Sequence, residues 1–318
     1  MISILMATYN GRKFIEQQLD SIRLQYLAPD AVIICDDASS DGTYEFIQHY
    51  INKYELSTWQ VSQNEENLGH FNTFLHLVTQ VQEGLVFFSD QDDIWLPDKV
   101  STLSPYLLDP SVAMAYNQSE IIDQYNKVIE RPSLCGHSQV KELGFLLKKW
   151  PSGYQTAFRG EVLKDILDKS YQELPGFDYH DVLFGMLAPL YGQVIAVDKI
   201  LDQHRIHFSN VTQSIDSKSF NKTRQSRIDY LEKVLARYQS VKRIVLKLKR
   251  QDQEDIVNEA IQLTQWRIKF LQCRKPSVMW YLLKNKHLYA GEKDLVSDIV
   301  YAFSLNRWAM WLLKIIKR

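Results

Sequence analysis

The chain has 318 residues, 45% of them hydrophobic and 24% charged, with 37 Lys+Arg against 38 Asp+Glu for a net charge of −1. This is an ordinary globular composition, with enough material for a core in one large or two ordinary domains. Three well-separated cysteines, Cys35, Cys135 and Cys273, exclude a disulfide framework and a zinc spacing, and no run of ~18 apolar residues offers a membrane span. With no basic, apolar leader at its start, the protein is expected to be cytoplasmic.

The first half alternates short apolar runs with helix-like segments. Ile2 to Ala7 reads as a strand, and Asn10 is placed to cap a helix from about Arg12 to Leu27, where Phe14, Ile15, Leu19 and Ile22 recur at helical spacing. Pro29 stops it. Ala31 to Cys35 follows as a strand, Asp41 to Tyr54 as a helix, Trp59 to Ser62 as a strand, Phe71 to Val81 as a helix and Leu85 to Phe88 as a fourth strand. This rhythm predicts an α/β fold with a mainly parallel sheet covered by helices on both faces. Ligands of such sheets lie beyond the carboxyl ends of the strands. There the sequence places Thr8-Tyr9-Asn10-Gly11, then Asp36 to Gly42, then Asn64 to Gly69, and then Ser89-Asp90-Gln91-Asp92-Asp93-Ile94-Trp95.

The last of these clusters is the most informative. Three carboxylates directly after a buried strand need a partner, and the usual partner of hard carboxylate oxygens is a divalent cation carrying phosphate oxygens. On an extended backbone Asp90 and Asp92 would share a face while Asp93 points away. The competing reading is that these aspartates only cap the helix marked by Pro97.

In order and spacing, these motifs together with Gly153 to Arg159, His180-Asp181 and His204 to Thr212 resemble glycosyltransferase family 2 with the GT-A fold. The flavour is that of bacterial rhamnosyltransferases and other polysaccharide- or capsule-building enzymes, and the likeness spans about the first two thirds of the chain. The resemblance implies that Thr8, Tyr9, Asn10, Asp36, Asp37, Asn67, Gly69, Asp90, Gln91 and Arg205 bind the nucleotide-sugar donor. A carboxylate near Asp37 would accept the N3–H of uracil or thymine. Asp36 and Asp37 also fit a turn, and Gly69 fits either close approach to a ligand or an ordinary helix start. By the same resemblance Asp90, Asp92 and His207 are metal ligands, for Mn2+ in preference to Mg2+ because of the imidazole.

Asp181 matches the catalytic base of an inverting displacement, and also suits a helix N-cap; His180 stands where many relatives have an acid. Trp95, Trp150, Gly153, Tyr154, Gln155, Thr156 and His180 are expected at the acceptor. The implied activity is transfer of a sugar, with L-rhamnose from dTDP-rhamnose the leading donor and a UDP-hexose or UDP-N-acetylhexosamine the alternative, onto a glycan or lipid-linked acceptor. A non-catalytic sugar-nucleotide-binding or assembly protein is countered by Asp181 beside the full metal motif. A nucleotidyltransferase would need a glycine- and basic-rich loop after the first strand, which is missing.

The neutral total charge conceals a division. Residues 1–210 hold 15 Lys+Arg against 28 Asp+Glu, net −13, and residues 211–318 hold 22 against 10, net +12. A catalytic domain over 1–216 is therefore expected, with a nucleotide half (1–100) and an acceptor half (101–216), followed by a basic, helical region over 217–318. Helices are predicted at about 224–250, 252–273, 278–287 and 294–317. The final Trp308 to Arg318 stretch suits an interfacial anchor mixing Trp and Leu with Lys and Arg, so peripheral contact with the inner face of the cell membrane is expected. An accessory helical bundle is the competing reading. Nucleic acid is not expected, since no recognition motif accompanies the basic residues.

Overall fold

The computed structural model describes residues 1–81, 83–207 and 223–303. It divides into two compact units, Met1–Glu142 with Trp150–Phe208, and Leu143–Lys149 with Ser209–Arg318. The expected boundary at 216/217 lies outside the described residues, and the grouping of 143–149 with the second unit has no signal in the composition.

In the first unit, β1 (Ile2–Thr8), β2 (Ala31–Asp36), β3 (Trp59–Gln63) and β4 (Leu85–Ser89) alternate with α1 (Ile15–Arg23), α2 (Thr43–Lys53) and α3 (His70–Thr79). The chain continues through β5 (Ile94–Trp95), α4 (Lys99–Leu107), β6 (Val112–Ile122), β7 (Val128–Glu130) and β8 (Gln139–Lys141). After α5 (Leu143–Leu146), which belongs to the second unit, come β9 (Thr156–Arg159), α6 (Gly160–Ser170), α7 (His180–Leu187) and β10 (Gln193–Arg205).

The strands form one sheet in the order β3-β2-β1-β4-β9-β6-β10-β5, with β7 on β6 and β8 on β10. Parallel pairing holds across β3, β2, β1 and β4. Beyond β4 the sheet is mixed, because β9 runs antiparallel to both β4 and β6 while β10 is parallel to β6. All five residues of β4 are buried, as are Ile4, Leu5 and Met6 of β1. Apolar runs of this kind, buried on both faces, belong to a sheet sandwiched between helices. One face packs Ile15, Leu19 and Ile22 of α1 against Ile4, Met6, Val32 and Ile34. Each such side chain contributes ~1.5–3 kcal/mol on burial.

The first helix begins later than its sequence predicts. Asn10 does not cap it: its backbone sits at φ 49°, and its Oδ1 accepts from Ser40 N at 2.9 Å. The turn is closed instead by Gly11 O, which accepts from Phe14 N and Ile15 N.

Among the described residues the second unit contains α5 and four further helices, α8 (Arg224–Lys247), α9 (Gln251–Cys273), α10 (Pro276–Lys284) and α11 (Glu292–Ala302). Its core joins Ile228 and Leu231 to Leu263, Ile268, Phe270, Leu271, Val278, Leu282 and Leu295. A fully buried Asp298 accepts from Arg227 Nε at 2.9 Å, Arg267 Nε at 2.6 Å and the Tyr289 hydroxyl at 3.2 Å. Trp308 to Arg318, the predicted anchor, lies outside the described residues. Among the described residues no helix is long and apolar enough to cross a membrane.

Candidate active site

The four polar loops that the sequence places on one rim are tied into a single hydrogen-bonded floor. Gly11 N donates to Thr43 Oγ1 at 2.9 Å, Asn10 N to Ser39 Oγ at 2.8 Å and Arg12 N to Asp41 Oδ2 at 3.0 Å, joining the loops after β1 and β2. Buried Asp36 accepts from Thr8 Oγ1 at 2.8 Å, Ser39 N at 2.9 Å, Ser39 Oγ at 2.6 Å and Gln63 Nε2 at 3.0 Å. Asp37 reaches the loop after β3, accepting from Asn64 Nδ2 and Leu68 N at 2.8 Å each and from Gly69 N at 2.9 Å. Gln91 clasps the backbone of Tyr9, accepting from its N–H at 2.9 Å and donating to its carbonyl at 3.0 Å.

The polar atoms of Asp36, Asp37 and Gln91 therefore fasten loop to loop. Tyr9 is 48% exposed. Asn67 Oδ1 accepts from Gly69 N at 3.1 Å. Gly69 has no heavy atom within 4 Å of where a Cβ would stand, so crowding is not why glycine is needed. Its φ of 79° with ψ of 149° supplies the reason, a conformation only glycine adopts readily.

After Ser89 the strand ends and the chain bends at residues 91 and 92, so the extended alternation expected for Asp90 and Asp92 does not occur. Asp92 instead meets His207, with Oδ2 and Nε2 2.7 Å apart and the Phe14 ring 4.6 Å from the imidazole. Asp90 does not join them: among the described residues no three His, Cys, Asp or Glu side chains converge where one ion could be held. The Asp90 carboxyl is pushed well above the usual carboxylate range, first by burial and then by the charges of Asp93, Asp92 and Asp181, with His204 opposing. Asp181 thus lies within electrostatic reach of the carboxylate cluster. It sits in the first turn of α7, whose N-cap is Tyr179, and accepts from Val182 N at 2.7 Å.

Asp93 is not a bystander, and neither of its neighbours is a helix cap. It is fully buried, and its Oδ1 lies 2.8 Å from His204 Nδ1 and accepts from Arg205 N at 3.0 Å. Burial alone would lower the pKa of His204, but the charge and hydrogen bond of Asp93, then Asp90 and Asp92, raise it to about 9. At neutral pH the ring is therefore an imidazolium. It stacks on Tyr154, with centroids 4.5 Å apart and planes within 4°. The sequence places His204 at the head of the motif that ends at Thr212 but assigns it no role of its own, although its place three residues before His207 was a signal. Sequence reading also missed the buried ion pair beneath, in which Lys99 Nζ donates to Asp202 Oδ2 and to Tyr154 O, both at 2.6 Å.

Several expected ligand contacts are corrected by burial. Arg205 is fully buried: Nε donates to Asp92 O at 2.8 Å, and the remaining nitrogens engage Gln17 Oε1 at 2.7 Å and Asn126 Oδ1. It braces the carboxylate loop rather than facing a phosphate. Trp95, at 2% exposure, is core, with Lys99 Nζ 4.3 Å from its ring. His180, also at 2%, stacks on Phe74 at 3.7 Å, pairs with His70 Nε2 at 3.1 Å and is held neutral by burial. Gly153 leaves the room it occupies, since a Cβ there would come within 2.3 Å of His180 Nε2.

Tyr154 and Thr156 are buried as well, and Gln155 Nε2 donates to Ser119 Oγ at 2.9 Å and to Asn117 O at 3.2 Å. Trp150 is half-buried, with its Cβ 3.3 Å from where a Cβ at residue 185 would stand. The Trp95, Gly153–Thr156 and His180 set therefore lies in the wall behind the rim.

Solved structures share this architecture. Staphylococcus aureus TarS (residues 1–349) with UDP aligns with a TM-score of 0.56 at 17% identity, covering 86% of this chain and 92% of that one. A mannosyltransferase from Pyrobaculum calidifontis with GDP-Man and Mn2+ gives 0.52 at 15%, covering 97% and 87%. Among curated proteins, a glycosyltransferase of Nostoc is 22% identical over 66% of this chain and 66% of its own length. Escherichia coli chondroitin synthase is 24% identical over 71% of this chain. A dTDP-rhamnosyl transferase of Shigella flexneri is 35% identical over 30% of this chain and 34% of its own. The chain spans about two thirds of the length of the Nostoc protein and about one third of chondroitin synthase. The sequence model of the Glycosyl transferase family 2 matches residues 3–167, from β1 into α6, and because that stretch takes in all four rim loops and just over half of the chain, this protein belongs to that family.

Proposed function

We propose that this protein is a glycosyltransferase that moves a sugar from a nucleoside-diphosphate donor onto a glycan or lipid-linked acceptor in polysaccharide synthesis. The observation that carries the reading is the carboxylate cluster of Asp90, Asp92 and Asp93 at the end of β4, with His207 against Asp92 and Asp181 within electrostatic reach. Residues 1–100 supply the donor half and the residues that follow, to about 216, the acceptor half; the basic, mainly helical region is 217–318.

The donor set fits a divalent ion of the kind that is shared with substrate. One carboxylate and one imidazole, Asp92 and His207, already meet at a point, and phosphate oxygens and water complete such a shell. The imidazole favours manganese over magnesium. Bound there, the ion would supply counter-charge to the departing diphosphate. Arg205 fixes the carbonyl of Asp92 and so the direction of its carboxylate. Asp181 takes the proton from the attacking acceptor hydroxyl, so that a single displacement inverts the anomeric centre.

The leading donor is dTDP-L-rhamnose, supported by the family flavour of the rim motifs and by the likeness to the Shigella dTDP-rhamnosyl transferase. A UDP-N-acetylhexosamine is the second reading, favoured by the fold shared with TarS, which has been solved with UDP-GlcNAc. A screen of purified sugar nucleotides, following donor hydrolysis with manganese and with chelator, tests both. Release of nucleotide from one donor only in the presence of metal is expected; no turnover of any donor would overturn the reading.

A further inference from the structure

Helix α10 has two unlike faces. Val278 and Leu282 are buried and join the core of the second unit, whereas Pro276, Ser277, Trp280, Leu283 and Lys284 are exposed. At 3.6 residues per turn Pro276, Trp280, Leu283 and Lys284 share one side. Trp280 is 64% exposed and Leu283 43%. Isolated exposed apolar residues need no explanation. The setting of this pair is different, because residues 274–291 contain no Asp or Glu, while Arg274, Lys275, Lys284, Lys286 and His287 are all exposed along the same stretch.

The basic, aromatic character extends to α9. The Trp266 ring lies 4.5 Å from Tyr281, and Lys269 Nζ stands 4.4 Å from the Trp266 ring. A helix that offers one exposed indole and one exposed leucine, on a segment whose charged side chains from 274 to 291 are all basic, matches in charge a bilayer surface rich in anionic headgroups. An ordinary solvated helix face would be expected to mix both signs of charge.

We infer that the outer face of α10 docks this protein on an anionic lipid surface, with Trp280 and Leu283 entering the headgroup layer and Arg274, Lys275, Lys284 and Lys286 pairing with lipid phosphates. The contact uses no residue of the carboxylate site, so it can be measured without any donor sugar and stands or falls apart from the transferase reading.

The test is co-sedimentation of the full chain with vesicles of phosphatidylcholine alone and of phosphatidylcholine with phosphatidylglycerol. Binding to the anionic vesicles is expected, at least ~10-fold stronger than to the neutral ones and weakened by salt. Trp280→Ser, and separately the pair Lys275→Glu and Lys284→Glu, should each lower the anionic binding by ~10-fold or more. These positions are on the surface, so circular dichroism and donor hydrolysis should match the parent. Binding that these variants leave intact, but that Trp308→Ser with Trp311→Ser removes, would overturn the assignment to α10. Retention on heparin or DNA without vesicle binding would assign the face to a polyanionic chain instead and overturn the lipid proposal.

Discussion

Arg205 holds the backbone of Asp92 in place, its Nε donating to the Asp92 carbonyl at 2.8 Å from two residues before His207, the same strand end that brings the imidazole to the Asp92 carboxylate. One strand terminus thereby fixes both the loop and the group that faces its side chain. Replacing a fully buried guanidinium leaves carbonyls and amide oxygens unpaired, so Arg205→Ala should destabilise the fold by about 3 kcal/mol or more. Urea unfolding measures this. A phosphate-binding arginine would behave otherwise, leaving stability nearly unchanged while weakening the donor.

Asp92 and His207 make a second, distinct prediction. Asp92→Ala should reduce transfer by ~10²-fold or more, because the leaving diphosphate loses its counter-charge. His207→Ala should cost less, since one oxygen ligand and the phosphates would remain. Chelator should silence the parent, and added manganese should restore it. Undiminished turnover in excess chelator would remove the metal from the mechanism.

How much of this could be read in advance depends on the range of the interaction. Strands β1 to β4 and their helices are encoded by local periodicity, and the rim loops follow from the rule that binds ligands at strand ends. Long-range pairing is not encoded that way. Gln91 and Arg205 sit inside ligand-binding motifs, so their polarity reads as ligand contact, yet their partners are Tyr9 and Gln17, 82 and 188 residues distant in sequence. Asp37 has long-range partners of the same kind, its carboxylate accepting from Leu68 N and Gly69 N. Trp95 and His180 look like sugar-facing rings because aromatic residues beside a donor motif fit that role, and only the packing of Phe74 and Lys99 shows them inside the wall.

Asp181→Asn separates chemistry from binding. The amide keeps the shape of the side chain and can still accept from Val182 N, so donor affinity should stay within a few-fold of the parent. Transfer to acceptor should drop by ~10²–10⁴-fold, the range of a lost general base. Titration calorimetry with donor and a separate transfer assay give the two numbers. Weak donor binding combined with normal turnover would contradict the assignment.

The His204–Asp93 pair should give the fold a pH dependence of definite sign. The folded-state pKa of His204 is raised to about 9, whereas an unfolded histidine titrates near ~6.5, so the native state binds the extra proton more tightly. Its stabilising contribution is complete below about pH 6.5 and is lost as pH rises through about 9. The full linkage is of order ~3 kcal/mol. Urea unfolding of the parent should therefore show stability falling over that window. In His204→Gln the fall should flatten, because the amide does not titrate, and the variant should be less stable than the parent at roughly pH 6 and close to it at roughly pH 9.5. The Tyr154 ring, stacked on the imidazole, reports the same change locally, since its packing partner loses charge without leaving. Parallel stability profiles for parent and variant across the whole range would show that the pair does not hold a proton in the folded protein.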